Sequence, residues 1–204
     1  MNGESAIAPR RVHIVGGPAS GKTTIAGHIA ECLGLPVHHL DDLHRADAGV
    51  MLRPVEHRLQ MVRAVLDTDG WVTEGIHLGW TDPFFDRADL VIWLDTPGWV
   101  RASGRLVRRF GRSGSTGGPV SDVASAPVDR SVGRRLRDGW GHAGDLVGAV
   151  HETRHYHLHP RGTPNLPETR TATRDRLDGH IGRLVRCRSD ADVQALLASL
   201  AAAD

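Results

Sequence analysis

Lysine is almost absent from this chain of 204 residues. Lys22 is the only lysine, and arginine fills the other 24 of the 25 basic positions. This strong preference for arginine over lysine implies that arginine is used wherever any cation is sufficient. The single lysine therefore indicates a position where arginine cannot replace it. A planar guanidinium does not replace a compact ammonium group in a confined site. Lys22 is therefore the first candidate for a functional residue.

Cysteine is scarce, and long apolar runs are lacking. Cys32 and Cys187 lie far apart in apolar segments, which favours two reduced thiols over a disulfide and predicts a cytoplasmic location. The chain contains no apolar run long enough to predict a membrane span. The segment before Arg10 has no apolar core, so it does not predict a secretory signal.

Charge of one sign and aromatic side chains are also scarce. The formal net charge is +1, and aromatic residues make up 4% of the chain. A nucleic-acid-binding surface needs a basic excess and often aromatic platforms, so both numbers argue against nucleic acid as a partner. A chain of this length predicts a single domain over residues 1–204.

A glycine-rich loop stands near the N-terminus. The stretch GGPASGKTT fits the pattern G-x-x-x-x-G-K-[ST], and it follows the apolar RVHIV and precedes a helical pattern. Strand, glycine loop and helix in this order predict a phosphate-binding loop, because glycines let backbone N–H groups converge on an anion and the helix N-terminus adds positive partial charge. The predicted nucleotide-binding residues are Gly16, Gly17, Pro18, Ala19, Ser20, Gly21, Lys22, Thr23 and Thr24.

Two side chains of this loop have separate predicted roles. Lys22 is predicted to bridge the β- and γ-phosphates of ATP and so to take part in catalysis. The Thr23 hydroxyl is predicted to ligate the Mg²⁺ that accompanies ATP. A glycine turn that matches the pattern by chance is the alternative, and the flanking strand and helix disfavour it.

Strand and helix patterns alternate along the chain, which predicts an α/β fold with a parallel sheet covered on both faces. The segment 111–127 is rich in Gly, Ser and Pro, and 159–172 contains three prolines and little periodicity. The last helix is predicted to have Asp190 near its N-cap. The predicted strands are 11–15, 35–40, 70–75, 88–95 and 182–188, and the predicted helices are 23–33, 54–67, 82–88, 99–112, 131–150 and 190–202.

Several stretches together resemble one family. These are GGPASGKTT, HLDDL, WVTEG followed by ADLVIWLDTP, the arginine-rich helix and the C-terminal SDADVQALL. They resemble the P-loop nucleoside and nucleotide kinases, which include adenylate, shikimate and gluconate kinases, and most of all the adenylate-kinase-related topology modulation proteins. The resemblance implies a three-layer α/β/α fold, five parallel strands in the order 2-3-1-4-5 and an arginine-rich helical lid, roughly 99–137, that closes over ATP.

Carboxylates follow two of the predicted strands, where open parallel sheets bind their ligands. Asp41 and Asp42 follow the second strand, and a carboxylate there can accept the proton of an attacking hydroxyl or hold a magnesium-bound water. Asp41 is the preferred catalytic residue of this substrate-binding pair, and a helix-capping role is the alternative. Glu74 and Gly75 end the third strand, where Glu74 can hold a magnesium-bound water or a substrate hydroxyl.

Arginines supply the remaining predicted contacts. Arg105 and Arg109 lie four residues apart on one face of the predicted helix 99–112, and their charge would stabilise the transition state of phosphoryl transfer. A solvated basic face is the alternative. Arg53, with Arg58 and Arg63, is available to an acceptor that carries a phosphate.

A histidine cluster is the last conspicuous feature. Its members His151, His155, His157 and His159 surround Tyr156. Spacing of this kind suits one helix face, so a zinc site is one interpretation, but no cysteine and only Glu152 are nearby to complete it. An exposed, partly protonated segment is the preferred prediction.

These features predict an ATP-dependent small-molecule kinase that transfers the γ-phosphoryl group to a hydroxyl or nucleoside-phosphate acceptor. ATP and Mg²⁺ are the predicted cofactors, and the chain is expected to be a monomer or a homodimer without a membrane partner. The alternative is a regulatory or nucleic-acid-binding protein that uses ATP as a ligand or switch, which the arginine-rich region 99–137 supports. The acceptor itself is left open by the sequence.

Overall fold

A computed structural model of the chain describes residues 8–46, 51–96, 98, 102–104, 143–163 and 168–202. Apart from residues 102–104, the predicted lid lies outside the described residues. Its two candidate catalytic side chains, Arg105 and Arg109, also lie outside them.

Seven strands and seven α-helices form the described part of the chain. The strands are β1 (Arg11–Gly16), β2 (Val37–His39), β3 (Arg45–Ala46), β4 (Met51–Leu52), β5 (Trp71–Glu74), β6 (Leu90–Leu94) and β7 (Leu184–Cys187). The α-helices are α1 (Lys22–Leu33), α2 (Leu40–His44), α3 (Val55–Leu66), α4 (Asp82–Arg87), α5 (Ala143–Leu158), α6 (Arg170–Leu177) and α7 (Asp190–Ala201). A 3-10 helix, Asp178–Arg183, follows α6.

Five of the strands form one parallel sheet in the order β2-β5-β1-β6-β7. Numbered among themselves along the chain, these strands have the order 2-3-1-4-5, so the expected fold is confirmed. The strands β3 and β4 form a separate short antiparallel ladder. Parallel neighbours require crossover connections, and helices supply them here.

The sheet is covered on both faces, so its central strand is buried along nearly its whole length. Ile14 belongs to the core shared with Ile29 of α1 and Leu196 of α7. Val15 belongs to the opposite core, which contains residues of α3, α4 and α6 such as Phe84. Alternation of side chains along a strand explains this division, because successive residues point to opposite faces.

His13 lies in the centre of the sheet with no exposed surface. Its Nδ1 is 2.8 Å from the Thr73 hydroxyl, and its ring meets the edge of Phe85 at a centroid distance of 4.4 Å. Burial lowers the pKa of His13 to about 3. The imidazole is therefore neutral in the folded protein, because an apolar surrounding disfavours its charged form.

The structure corrects two expectations about local structure. Helix α6 starts at Arg170, inside the segment 159–172 where no helix was predicted, because the Thr169 hydroxyl caps it by accepting from the Ala172 N–H at 3.1 Å. The N-cap of α7 is Ser189, and Asp190 is the next residue, so Asp190 lies near the N-cap as predicted; Ser189 and Asp192 form a reciprocal capping box.

The second correction concerns the histidine cluster, which lies on or just after α5. His155 and Tyr156 are buried, so the prediction of an exposed segment is wrong for these two residues. His155 stacks on His159 with ring centroids 4.4 Å apart. The helix turns these side chains toward the core although the sequence around them is polar.

None of the helices in the described ranges is both long and apolar enough to cross a membrane.

Candidate active site

The glycine-rich loop connects β1 to α1, as the sequence predicts. Ala19 and Gly21 have positive φ values of 57° and 95°. The loop also contains a turn in which the Ser20 N–H donates to the Gly17 carbonyl at 3.2 Å. Left-handed residues between right-handed ones turn successive amide groups to one side, which is the geometry of backbone anion sites. Gly21 is also the N-cap of α1.

Two glycines of the loop are held in tight contact with neighbouring elements. A Cβ on Gly16 would lie 2.8 Å from the Leu94 carbonyl oxygen, because β6 pairs with β1 at this point. A Cβ on Gly17 would overlap the ring of Tyr156 on α5. Of these two glycines, the sequence motif requires only Gly16. The need for a glycine at position 17 comes from the packing of the loop against Tyr156.

Lys22 folds back over the loop. Its Nζ donates to the Gly16 carbonyl at 2.9 Å and to the Gly17 carbonyl at 3.0 Å. An ammonium group has three N–H donors, so one remains for a ligand after these two bonds. The loop thus fixes its own cation above the place where an anion would bind.

Thr23 and Glu74 are brought together across the β1 and β5 ends. The Thr23 hydroxyl donates to Glu74 Oε1 at 3.0 Å, and His39 Nδ1 lies 2.8 Å from the same oxygen. Glu74 is only 7% exposed. A hydroxyl and a carboxylate are oxygen donors of the kind that Mg²⁺ prefers, so these two residues fit the predicted metal.

Gly75 follows Glu74 in a conformation with φ of 153°, which favours glycine. A Cβ at Gly75 would lie 2.7 Å from the Leu40 Cβ, so no larger residue fits between β5 and the start of α2. Gly75 thus lets α2, which bears Asp41 and Asp42, approach the end of β5. Its role is to permit this close approach.

Asp41 lies in the first turn of α2, with its side chain 79% exposed. Its Oδ1 accepts a hydrogen bond from His77 Nε2 at 2.7 Å, and this bond lowers the pKa of Asp41 to about 2. The positive charge of Lys22 acts in the same direction. Asp41 is therefore an ionised carboxylate that solvent reaches and that lies within the field of the loop lysine.

Three planar side chains form a stack beside Asp41, here called the ring stack: His44, His77 and Trp80. Centroids lie 4.5 Å apart for His44 and His77, and 5.8 Å apart for His44 and Trp80, with interplanar angles of 23° and 13°. His77 and Trp80 are 5.5 Å apart. Of these three residues, only His77, two residues after Gly75, is suggested for the acceptor pocket by the sequence, with an incidental loop histidine as the alternative. His44 and Trp80 had no predicted role, although all three follow the ends of β2 and β5.

Arg58 of α3 closes the ring stack on one side. Its Nη1 lies 3.0 Å from His44 Nδ1, and its guanidinium lies 5.3 Å from the Trp80 ring centroid. A guanidinium can only donate, so His44 Nδ1 accepts and the imidazole is neutral. Burial, with the charges of His77 and Arg58, lowers the pKa of His44 to about 4.

Two further carboxylates, from distant parts of the chain, interact electrostatically with Asp41. Glu168, just before α6, has its Oε1 4.0 Å from His77 Nδ1. Burial raises the pKa of Glu168, and the negative charges of Glu152 and Asp41 raise it further. Desolvation likewise raises the pKa of Glu152 on α5, and Asp41 contributes to the shift. No local sequence signal marks these residues, because only the fold brings α5 and α6 to the end of β2.

The other predicted acceptor residues lie close by. Arg53 donates from Nε to the backbone carbonyl of Asp42 at 3.4 Å, and its own N–H bonds to the His44 carbonyl at 3.0 Å. Arg53 therefore lies against α2, next to the pair of aspartates. Arg63 lies on the exposed side of α3.

A buried carboxylate, Asp95, forms ion pairs with two partly exposed arginines beyond the end of β6. Asp95, which is 2% exposed, follows β6 and accepts from Arg170 Nε at 2.6 Å and from Arg186 Nε at 2.9 Å. Burial alone would raise the pKa of Asp95, but the bonds from the two arginines outweigh it and lower the pKa. These ion pairs join β6, β7 and α6 beside the strand that leads into the loop.

Within the part of the chain that the structure describes, no group of three or more histidine, cysteine, aspartate and glutamate side chains could hold a metal ion. The zinc interpretation of the histidine cluster therefore finds no support among these residues. The two cysteines are free thiols, with Cys187 buried and Cys32 half-buried.

Comparisons with protein-family models and with curated proteins found no match. Among solved structures, the chain is similar to a shikimate kinase from Bacteroides thetaiotaomicron, with 16% identity over 72% of this chain and 97% of that chain and a TM-score of 0.38. It is also similar to a gluconokinase from Sinorhizobium meliloti 1021, with 16% identity over 96% of this chain and 95% of that chain and a TM-score of 0.46. Similarities at this level support no conclusion about activity.

Proposed function

We propose that this protein is a phosphotransferase that moves the γ-phosphoryl group of ATP to a hydroxyl-bearing small molecule. One observation supports this proposal most strongly. The loop lysine, Lys22, acts electrostatically on Asp41, an exposed and ionised carboxylate that follows β2 and therefore lies at the same edge of the parallel sheet, with β5 between β2 and the loop strand. A nucleotide site and a carboxylate suited to an acceptor hydroxyl therefore share one cleft edge.

The nucleotide side consists of the loop and its flanking residues. The phosphates would be held by backbone N–H groups of the loop and of the start of α1: those of Gly16, Gly17, Ala19, Ser20 and Gly21. Pro18 belongs to the loop but has no N–H. Lys22 would add a positive charge from above the loop. Thr24, the next hydroxyl, is exposed on the first turn of α1.

Thr23 and Glu74 would hold Mg²⁺, with Glu74 acting through a bound water. When bound there, Mg²⁺ would neutralise part of the negative charge on the β- and γ-phosphates. Glu74 is already oriented by hydrogen bonds to Thr23 and His39. The oxygen atoms of Thr23 and Glu74 are thus held in place by hydrogen bonds within the protein before any ligand binds.

Asp41 would orient the acceptor hydroxyl. Its pKa of about 2 makes it a weak base at neutral pH. Phosphoryl transfer has a loose transition state and depends on positioning and charge more than on strong base catalysis, so a weak base is sufficient. The new bond joins the acceptor oxygen to phosphorus, the bond to the ADP oxygen breaks, and the hydroxyl proton leaves through Asp41 or to solvent.

Asp42, Arg53 and Gly75 complete the proposed acceptor side, and Arg105 and Arg109 are proposed to stabilise the transferring group. Two narrower proposals are that the chain is related to the adenylate-kinase-like enzymes and that its acceptor is a nucleoside phosphate. The resemblance of the sequence motifs supports the relationship. Whether a nucleoside phosphate fits as the acceptor depends on the charges around Asp41.

A screen for ADP release tests the proposal. The purified chain is incubated with ATP, Mg²⁺ and a panel of nucleosides, nucleoside monophosphates, sugars and polyols, and Lys22→Ala provides the blank. The proposal predicts that at least one hydroxyl compound raises ADP release above the ATP-only rate, with a phosphorylated product detected by mass spectrometry. Tight ATP binding with no product from any compound would favour the regulatory alternative.

A further inference from the structure

The chemistry of the acceptor side narrows the choice of substrate, if the proposed function is correct. Beside Asp41 lie the ring stack, through its hydrogen-bond partner His77, and Glu168, whose Oε1 is 4.0 Å from the other ring nitrogen of His77. The charge of Asp41 also raises the pKa of Glu152 on α5, in addition to desolvation. Planar rings and carboxylates therefore adjoin Asp41. The acceptor must therefore carry chemical groups that can pack against these rings and form hydrogen bonds with these carboxylates.

The arginine best placed for a phosphate acceptor is already engaged. Arg58 lies on α3 after the second strand of the sheet, where the sequence analysis expected a phosphate-binding arginine. Its guanidinium donates to His44 and stacks over Trp80, so it stabilises the ring stack from behind. Release of Arg58 to an anion would break its hydrogen bond to the half-buried His44 and its contact with the Trp80 ring, which costs free energy.

Among the residues that the structure describes, two further arginines beside Asp41 also interact with the protein. Arg53 lies against the Asp42 carbonyl. The charge of Arg45 acts on Asp41 and Glu152, where it lowers both pKa values. The positive charges of this region therefore offset carboxylates that are already present.

The carboxylates themselves are crowded. Glu168 carries the repulsion of both Glu152 and Asp41, which adds to its desolvation. A ligand with a phosphate or carboxylate in this position would increase that repulsion. A ligand with hydroxyl donors would relieve it, because carboxylates accept several hydrogen bonds and the planar rings can pack against the carbon skeleton.

We propose that the acceptor is an uncharged polyhydroxylated molecule, such as a sugar or a cyclitol, that carries neither a phosphate nor a carboxylate. Asp41 orients the hydroxyl that reacts, Glu152 and Glu168 accept hydrogen bonds from other hydroxyls, and the ring stack supports one face of the molecule. Glu152 and Glu168 are thus specificity residues that exclude anionic acceptors.

Matched pairs of acceptors test this inference. Each pair shares a carbon skeleton and differs in one anionic group: a hexitol with its aldonate, a hexose with its 6-phosphate, and a nucleoside with its monophosphate. The rate of ADP release is measured with each member over a range of concentrations. We expect kcat/KM to be higher for the uncharged member of the preferred pair by about tenfold or more, since like charges placed together weaken binding strongly.

The double variant Glu152→Gln and Glu168→Gln provides the second arm. It should reduce this preference severalfold while leaving the KM for ATP unchanged, and Glu31→Gln, an exposed carboxylate on α1, should leave the preference intact. Equal or better use of the anionic member by the unaltered chain would overturn the inference and leave the kinase proposal standing. No transfer to either member, by a chain that binds ATP, would overturn the proposed function and this inference with it.

Discussion

At the scale of single residues, Lys22 is held by its own loop. It is half-buried and donates to two consecutive carbonyls, so its ammonium group has a defined position. A guanidinium is broad and planar and cannot make the same two short bonds from the same stem. The abundance of arginine elsewhere in the chain shows that this position demands the smaller cation.

Replacement of Lys22 should therefore remove activity without unfolding the chain. Both Lys22→Ala and Lys22→Arg are expected to lower turnover by about 10²-fold or more, because the charge that stabilises the transferring group is lost or displaced. Turnover is measured as ADP release, and the fold by circular dichroism. Arg63→Lys, on the exposed side of α3, is the control that should keep full activity. An active arginine variant would contradict the role given to the lone lysine.

At the scale of elements, the loop depends on a helix far along the chain. Tyr156, which is 2% exposed, presses its ring against Gly17, and its hydroxyl lies 3.4 Å from that of Thr173 on α6. Helix α5 thus fixes the loop from one side, while β6 limits it at Gly16. Neither contact can be predicted from the motif, because the partners are more than seventy residues away.

The change Gly17→Ala tests this packing. The added methyl group overlaps the Tyr156 ring, so we expect a loss of about 1–3 kcal/mol in unfolding free energy, the usual cost of overpacking, together with weaker ATP binding. Gly27→Ala on α1 is the matched control. A Cβ at Gly27 meets no atom within 4 Å, so this change should be neutral or slightly stabilising.

Combination with Tyr156→Ala separates the contact from other effects. The smaller side chain leaves room for the methyl group, so Gly17→Ala should cost less in the Tyr156→Ala background than in the unaltered chain. Urea unfolding and ATP titration measure both quantities. Equal cost in the two backgrounds would show that Tyr156 does not restrict the loop.

At the scale of the whole molecule, the sequence predicts the architecture better than the site. The strand and helix patterns and the loop motif were sufficient to predict the α/β fold. The spacing of apolar residues and the placement of glycines are local properties of the sequence, so they can be read without knowledge of long-range contacts. Thr23 was predicted from the loop motif, and Asp41 and Glu74 were predicted because parallel strands end at one edge of a sheet. Glu152 and Glu168 were not predicted to lie near Asp41, since their proximity depends on how α5 and α6 pack. His77 follows β5 and was suggested for the acceptor pocket, but its hydrogen bond to Asp41 was not predicted.

The stability of the whole chain should fall as the solution becomes acidic. His13 has a folded pKa of about 3, below that of an exposed histidine, so between these values the unfolded chain binds a proton that the folded chain does not. Unfolding free energy should therefore rise with pH through this window, by up to about 1.4 kcal/mol per pH unit for one proton. Above the ordinary pKa of histidine this contribution is constant.

Urea unfolding at pH 5 and pH 7 measures this dependence. His57→Gln, an exposed histidine on α3, is the control and should leave the difference between the two pH values unchanged. Replacement of the partner hydroxyl by Thr73→Val should lower stability at both pH values, because His13 Nδ1 would lose its hydrogen bond. Equal stability of the unaltered chain at pH 5 and pH 7 would contradict a neutral, buried His13.

The central claim is that Asp41 serves the acceptor and the loop serves the nucleotide, and one comparison tests it most directly. ATP affinity and γ-phosphoryl transfer are measured for Asp41→Asn and for its neighbour Asp42→Asn, with the acceptor that the ADP-release screen identifies. The account predicts that Asp41→Asn keeps its affinity for ATP and loses about 10²- to 10⁴-fold in transfer, whereas Asp42→Asn remains active. Full transfer by Asp41→Asn, in a chain that binds ATP, would contradict the account.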